Sequence, residues 1–360
     1  MRIVVDVSHL SHPRTGIGNY TRGSLAGLAE VARGRHELVG FAPANIRGGT
    51  RAIREALAGI AIELRLVPLP FAHAWRTAWS RLGRPAAERV LGRFDILHYW
   101  DWMYPPQRAG VRATTVSDLV PLRFPEWAAP RTRRMHGAKY RDAAESCDVI
   151  FTDSRFTADD VVHRLGVGRD RVRVAYPAPD ARFRPEGERA DLGRPYVLAT
   201  GALDPRKNLD ALLAARRLLS ADLAIALVGA PDRRRTPLVG RDDGVVSLGY
   251  VSDGELERLY RGASVFAYPS RFEGFGISIL EAMASGAPCV VSSHPSLDEA
   301  SGDAAVRVDP ESPEAIARGI EEALARRGDL VRRGLAHAER FTWRETGHAL
   351  LRGYEAAPRR

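Results

Sequence analysis

Short apolar runs alternate with segments of helical periodicity along almost the whole chain, and the alternation is interrupted once. In the first half the runs fall at residues 3–7, 37–42, 62–67, 96–99, 113–116, 149–152 and 172–175, with helix-like segments between most of them. Strands apolar on both faces belong to a parallel sheet covered by helices on both sides. A proline-rich stretch at 176–185 then reads as a linker. Beyond it, strands are predicted at 196–200, 223–229, 245–248, 264–267, 288–292 and 306–308. Helices are predicted at 208–219, 253–261, 277–284, 313–327, 329–341 and 343–355. The expected fold is α/β, with two doubly wound parallel-sheet halves. A chain of 360 residues suits two domains rather than one core.

Composition narrows the classes. No run approaches the ~20 apolar residues that a membrane span needs, and the first residues enter directly as a strand, without the layout of a signal peptide. Cys147 and Cys289 give neither a disulfide framework nor a zinc spacing, so the expected location is the cytoplasm. The net charge of +9 is uneven: residues 1–185 carry 29 basic against 18 acidic residues, and residues 186–360 carry 24 against 26. A basic first half favours an anionic partner there, and genomic bias toward arginine is an equal explanation. Nucleic acid is not expected, because no recognition motif accompanies the charge.

The most informative segment is Arg271-Phe272-Glu273-Gly274-Phe275-Gly276-Ile277, continued by Ser278-Ile279-Leu280-Glu281. Gly274 and Gly276 allow a sharp turn between a buried strand and a helix. Glu273 then lies at the carboxyl end of the strand and Glu281 one to two turns into the helix. Ligands of open α/β sheets sit in that crevice, and the unpaired N–H groups of a helix start favour an anion. Carboxylates there can accept hydrogen bonds from sugar and ribose hydroxyls. A second segment, Gly201-Ala202-Leu203-Asp204-Pro205-Arg206-Lys207-Asn208-Leu209, sets two cations on a turn before a helix, which suits a diphosphate.

These segments closely resemble the signatures of retaining glycosyltransferases of family 4, which have the GT-B fold of two Rossmann-like domains facing a cleft. The resemblance covers essentially the whole chain. It implies an acceptor-binding domain at 1–180, a nucleotide-sugar-binding domain at 181–341, and a terminal helix at 342–360 crossing back to the first domain. It implies catalytic roles for Glu273, Arg206 and Lys207, and donor contacts from Gly274, Phe275, Gly276, Ile277 and Glu281. A glycine-rich loop at Gly16 and Gly18 would close over the donor phosphate, with a plain strand-to-helix turn as the alternative. Ser117 and Asp118 would contact the donor sugar. The family's usual form has histidine before that aspartate, so Ser117 is a departure, and a turn role for Asp118 weighs equally. Ala202 departs too, where some members carry arginine. Tyr250 and Val251 would edge the nucleotide base, Ser252 reads equally as a helix cap, and Glu299 falls in a downstream element with a structural role.

The implied activity is metal-independent transfer of a hexose to a glycan, lipid-linked or small-molecule acceptor hydroxyl, with no cofactor. Asp-x-Asp, the usual metal clamp for nucleotide-sugars, is absent from the chain. The Pro-Arg-Lys-Asn-Leu variant is most similar to mannosyltransferase-type members, which implies GDP-mannose. A nucleotide-sugar epimerase on the same architecture and a non-catalytic nucleotide-sugar-binding partner remain as alternatives. On the acceptor side, Trp75, Trp79 and Leu82 share a helical face at i, i+4 and i+7, with Arg76, Arg81, Arg84 and Arg89 nearby. That face either packs into a core or lies on the inner face of an anionic membrane, with the basic stretch from Arg131 to Lys139 and Arg141 contributing charge.

Overall fold

The computed structural model describes residues 1–11, 16–100, 103–201, 204–229 and 244–358. The chain divides into two units, one of residues 1–177 with 342–360 and the other of residues 178–341. The first holds a seven-stranded sheet of β1 (Arg2–Asp6), β2 (Glu37–Asn45), β3 (Glu63–Leu69), β4 (Ile96–Tyr99), β5 (Val111–Val116), β6 (Val149–Thr152) and β7 (Val172–Val174). The second holds six strands: β8 (Tyr196–Thr200), β9 (Ala224–Val228), β10 (Val245–Gly249), β11 (Val265–Tyr268), β12 (Cys289–Ser292) and β13 (Ala305–Val308). All pairings are parallel.

Strand order in the first sheet is β3-β2-β1-β4-β5-β6-β7, and in the second β10-β9-β8-β11-β12-β13. The order reverses between β1 and β4 and again between β8 and β11. Those are the switch points where crossover helices leave the sheet on opposite faces and a crevice opens at the carboxyl ends of the strands. The central strands are buried along nearly their full length, as the continuous apolar runs require, whereas β3 at the edge alternates between intermediate and exposed residues. Separate apolar clusters fill the two units, one around Ile3, Leu25, Leu28 and Phe151 and the other around Val197, Leu212, Ile225 and Ile320.

The terminal helix, Trp343–Ala356, belongs to the first unit. Thr342 caps it by accepting from the Glu345 N–H, and its glycines let it lie against the helix Gly16–Ala32. A Cβ on Gly27 would stand 1.7 Å from the Trp343 carbonyl oxygen, and one on Gly347 would stand 2.4 Å from the Gly27 backbone. Only glycine permits an approach this close. The Tyr354 hydroxyl then reaches His98 Nδ1 at 2.5 Å, and Thr346 donates to the Tyr176 carbonyl at 2.6 Å.

Three expectations are corrected here. Gly16 and Gly18 are not in a loop: they form the first turn of the helix Gly16–Ala32, which the buried face of Tyr20, Leu25 and Leu28 stabilises despite two poor helix formers. The aromatic stripe at 75–82 does not pack into a core as one face. Trp79 packs against Phe41 and donates to the Pro85 carbonyl, but Trp75 is 57% exposed and Leu82 68%, while Arg76 is buried in their place. Lys139 is no part of a basic surface; it is buried and donates to the carbonyls of Trp100 and Thr115. A long amine can satisfy two inward carbonyls, which residue type alone does not reveal.

Candidate active site

The loops after β8 and β11 meet at the switch point of the second sheet. Beyond β8, Asp204 accepts from the Arg206 N–H at 2.9 Å and from Arg206 Nε at 3.1 Å, which fixes the short 3-10 turn Pro205–Lys207. Asn208 follows at φ 54°, the left-handed region that asparagine tolerates better than most residues. Its buried amide donates to the carbonyls of Pro269 and Pro310, which holds that strain in place. Ala202 lies outside the described residues.

Beyond β11, the Arg271 N–H donates to the Arg206 carbonyl at 2.8 Å and its guanidinium to the Pro205 carbonyl at 3.0 Å, so the two loops are latched together. Phe272 and Phe275 are buried on either side of Glu273, anchoring the loop. The Glu273 N–H donates to Ser296 Oγ at 3.2 Å. Gly276, at φ 99°, starts the helix Ile277–Ala284; a Cβ there would press Leu297 at 2.9 Å.

This scaffold brings Arg206, Lys207 and Glu273 into one cluster. Lys207 Nζ donates to Glu273 Oε1 at 2.7 Å and to the Tyr268 hydroxyl at 2.6 Å, and Arg206 Nη1 stands 3.8 Å from Glu273 Oε2. Burial alone would raise the Glu273 carboxyl, but the Lys207 and Arg206 charges outweigh it and hold it below the usual carboxylate range. Burial likewise opposes the Lys207 ammonium, and Glu273 outweighs it, so both members stay charged. The Tyr268 phenol is pushed up to about 12, chiefly by burial and then by Glu273. The result is a preorganised site in which two cations are balanced by Glu273 between them and by Asp204 beside Arg206.

Glu281 sits apart from this cluster. Its buried carboxylate accepts from the Tyr260 hydroxyl at 3.1 Å, and burial raises it to about 7 against the pull of that hydrogen bond, with Asp180 adding and Arg182 subtracting. Arg182 also stands 3.0 Å from Asp180 and bonds Asp253, the first residue of the helix Asp253–Gly262. Tyr250 and Val251 lead into that helix, which Ser252 and Glu255 start with a reciprocal capping box. The capping role therefore applies to Ser252. The Tyr250 side chain is exposed, and Glu299 offers its carbonyl to His337 at 3.2 Å.

In the first unit, Ser117 and Asp118 follow β5. Asp118 Oδ1 accepts from the Val120 N–H at 2.9 Å, so the turn role is present. Tyr268, Tyr260 and Arg182 were not singled out from sequence, and Ser296 was read only as part of the downstream element that holds Glu299. Tyr268 ends the strand that leads into the glutamate motif, a positional signal that could have found it. Tyr260 and Arg182 are joined to the site only by folding. Among the described residues no group of three His, Cys, Asp or Glu side chains could hold a metal ion, and no helix is long and apolar enough to cross a membrane.

Two parallel sheets with a cationic pair and a glutamate at the second switch point define a glycosyltransferase of the GT-B class. Residues 15–183 match the model of Glycosyltransferase Family 4 and residues 194–326 that of Glycosyl transferases group 1. The O-antigen chain mannosyltransferase B of Escherichia coli is 28% identical over 99% of this chain and 100% of its own. A D-inositol 3-phosphate glycosyltransferase of Acidothermus cellulolyticus is 30% identical over 76% of this chain and 70% of its own. The crystal structure of Anabaena Alr3699/HepE in complex with UDP superimposes with a TM-score of 0.69 at 15% identity, covering 98% of both chains. The chain belongs to glycosyltransferase family 4.

Proposed function

We propose that this protein moves a hexose from a nucleotide-sugar to a glycan or lipid-linked acceptor hydroxyl, with retention of configuration and without a metal, and that the donor is GDP-mannose. The observation that carries the reading is the Arg206–Lys207–Glu273 cluster at the switch point. The two cations meet the donor diphosphate and, with the helix start at Ile277, neutralise the charge that develops on it as it leaves, a preorganised electrostatic effect. Glu273 and the backbone of Gly274, Phe275 and Gly276 orient the sugar, and Glu281 holds the ribose. Gly16 and Gly18 are assigned to the donor phosphate, and Tyr250 and Val251 to the border of the base. The leaving phosphate takes the acceptor proton. The mannosyltransferase name of the full-length relative supports the sugar, and the UDP in the Anabaena structure supports a nucleotide at this fold.

A thermal-shift panel with GDP, UDP, dTDP and ADP sugars, run with magnesium and with chelator, tests the donor site. GDP-mannose is expected to raise the melting temperature equally in both, because a ligand that binds only the native state stabilises it. Silence with every donor would remove the reading. Turnover of the donor without any acceptor would favour an isomerase instead.

The protein acts in the cytoplasm against the inner face of an anionic membrane. Phe71, Trp75 and Leu82 are exposed on and beside the helix Ala72–Leu82. Arg81, Arg131 and Arg134 line a hollow of about 270 Å³ with His73, Thr77 and Met135. Apolar rings beside arginines match an anionic headgroup layer. Vesicles containing phosphatidylglycerol should sediment the protein at low salt, and reversing Arg131 and Arg134 to glutamate should abolish this. A protein that stays in the supernatant at low salt would sink the idea.

A further inference from the structure

We infer that Ser117 and Asp153 form a relay for a sugar hydroxyl, in which the buried Asp153 carboxylate holds the Ser117 proton inward and leaves the Ser117 lone pairs for the substrate. The inference deepens the transferase reading above and rests on it. The placement follows from register. In the parallel pair β5 and β6, Val116 lies opposite Thr152, so Ser117 and Asp153 leave the carboxyl ends of adjacent strands side by side. Both stand at the carboxyl end of the sheet, the end that ligands occupy, on the two strands that follow β4 of the β1–β4 switch point. Ser117 is half-buried, whereas Asp153 beneath it is only 9% exposed. The Ser117 hydroxyl and the Tyr20 phenol both face the Asp153 carboxyl closely enough to favour its charge, while Oδ1 of Asp153 has no hydrogen-bond partner among the described residues. A buried acid with an unpaired oxygen is costly, so a function that needs it there is worth seeking.

The groups around Asp153 come from three elements. Tyr20 projects from the helix Gly16–Ala32, Asp118 from the turn after β5, and Lys139 from the helix Pro130–Ser146. Burial raises the carboxyl most; Ser117 opposes it, Asp118 adds, and Lys139 and Tyr20 oppose, leaving it at about 7. The family this chain resembles places histidine at position 117, a side chain that titrates near neutrality. Here a serine takes the position and the acid behind it titrates in that same range. When Asp153 is ionised it accepts from Ser117, and the serine oxygen accepts from the substrate. When Asp153 is protonated it donates to Ser117, whose own hydrogen then turns outward. The acid thus sets whether the substrate meets an acceptor or a donor. Asp153 is a positioning residue and acts only through Ser117.

The test follows kcat from pH 5.5 to 9 at saturating donor and acceptor, with nucleoside diphosphate affinity measured alongside. Wild type should gain rate through neutrality. Ser117→Ala and Asp153→Asn should each lose about tenfold at pH 8, one hydrogen bond's worth, and lose the pH step. The double variant should be no slower than the slower single, because both remove one device. Ser117→Thr should restore rate and step together, and nucleotide affinity should stay within about twofold throughout. Should Asp153→Asn fail to fold, Ser117→Ala and Ser117→Thr decide alone. Wild-type rate and an unchanged step in Ser117→Ala would overturn the relay while leaving the transferase standing, as would single effects that multiply in the double variant. Absence of turnover in wild type with every donor would take down the transferase reading itself, and the relay with it.

Discussion

Glu273→Gln should lower kcat at least about 100-fold, the scale on which removing one preorganised polar contact to a transition state acts. Nucleoside diphosphate affinity should hold or tighten. The two halves of this expectation have one cause. Without donor, Glu273 is the counter-charge of Lys207 at 2.7 Å and lies 3.8 Å from Arg206. A diphosphate brings its own negative charge to the same cations, so the carboxylate resists its arrival as well as orienting the sugar. Glutamine keeps the shape and removes the charge, which relieves that repulsion and leaves the sugar poorly held. The free variant should also melt lower, because Lys207 is mostly enclosed, with 15% of its side chain exposed, and loses its ionic partner. Saturating nucleoside diphosphate should recover most of that loss. Steady-state kinetics, calorimetric affinity and melting curves separate the effects. A variant with normal turnover would remove Glu273 from the chemistry, and nucleotide binding weakened about tenfold would place the residue on the nucleotide instead.

The strands were legible in the sequence because both faces of a central parallel strand are buried, so each run is apolar throughout. The glutamate motif was legible for a related reason. Two glycines and two buried phenylalanines in five residues leave few conformations to the glutamate among them. What could not be read depends on which distant residues fold together. Lys139 and Arg76 look like surface cations until carbonyls or a core enclose them, and Trp75 looks like core until the helix is rolled so that Trp79 faces Phe41. The opening of the first helix was misjudged because glycines signal turns locally, whereas packing of its later residues decides the element. Ser117 read only as a departure from the family's histidine because Asp153, beside it in the β5–β6 register, is 36 residues away in sequence. Tyr260 was invisible as a partner of Glu281 for the same reason.

Donor binding should strengthen as pH rises through neutrality, and Glu281 should be the group responsible. Its carboxyl is raised to about 7 from an ordinary 4.5, mainly by burial. A ribose diol donates hydrogen bonds, so it needs the ionised carboxylate. Below that pKa, binding must first remove a proton, and affinity should fall toward about tenfold for each pH unit. The terminal phosphate of a nucleoside diphosphate also titrates near pH ~6, so the difference between wild type and Glu281→Gln carries the result. The variant should bind more weakly at pH 8 and keep only the shallower phosphate dependence. Stability should move the opposite way. Between about 4.5 and 7 the native state keeps a proton that the unfolded chain has released, so Glu281 costs stability as pH rises across that window. Glu281→Gln should therefore make the free protein's fall in melting temperature across that window shallower, with the raised Asp153 carboxyl supplying the slope that remains. The same carboxylate would weaken the empty fold and strengthen the complex at neutral pH. Parallel pH dependences of affinity in wild type and Glu281→Gln would show that Glu281 does not hold the ribose.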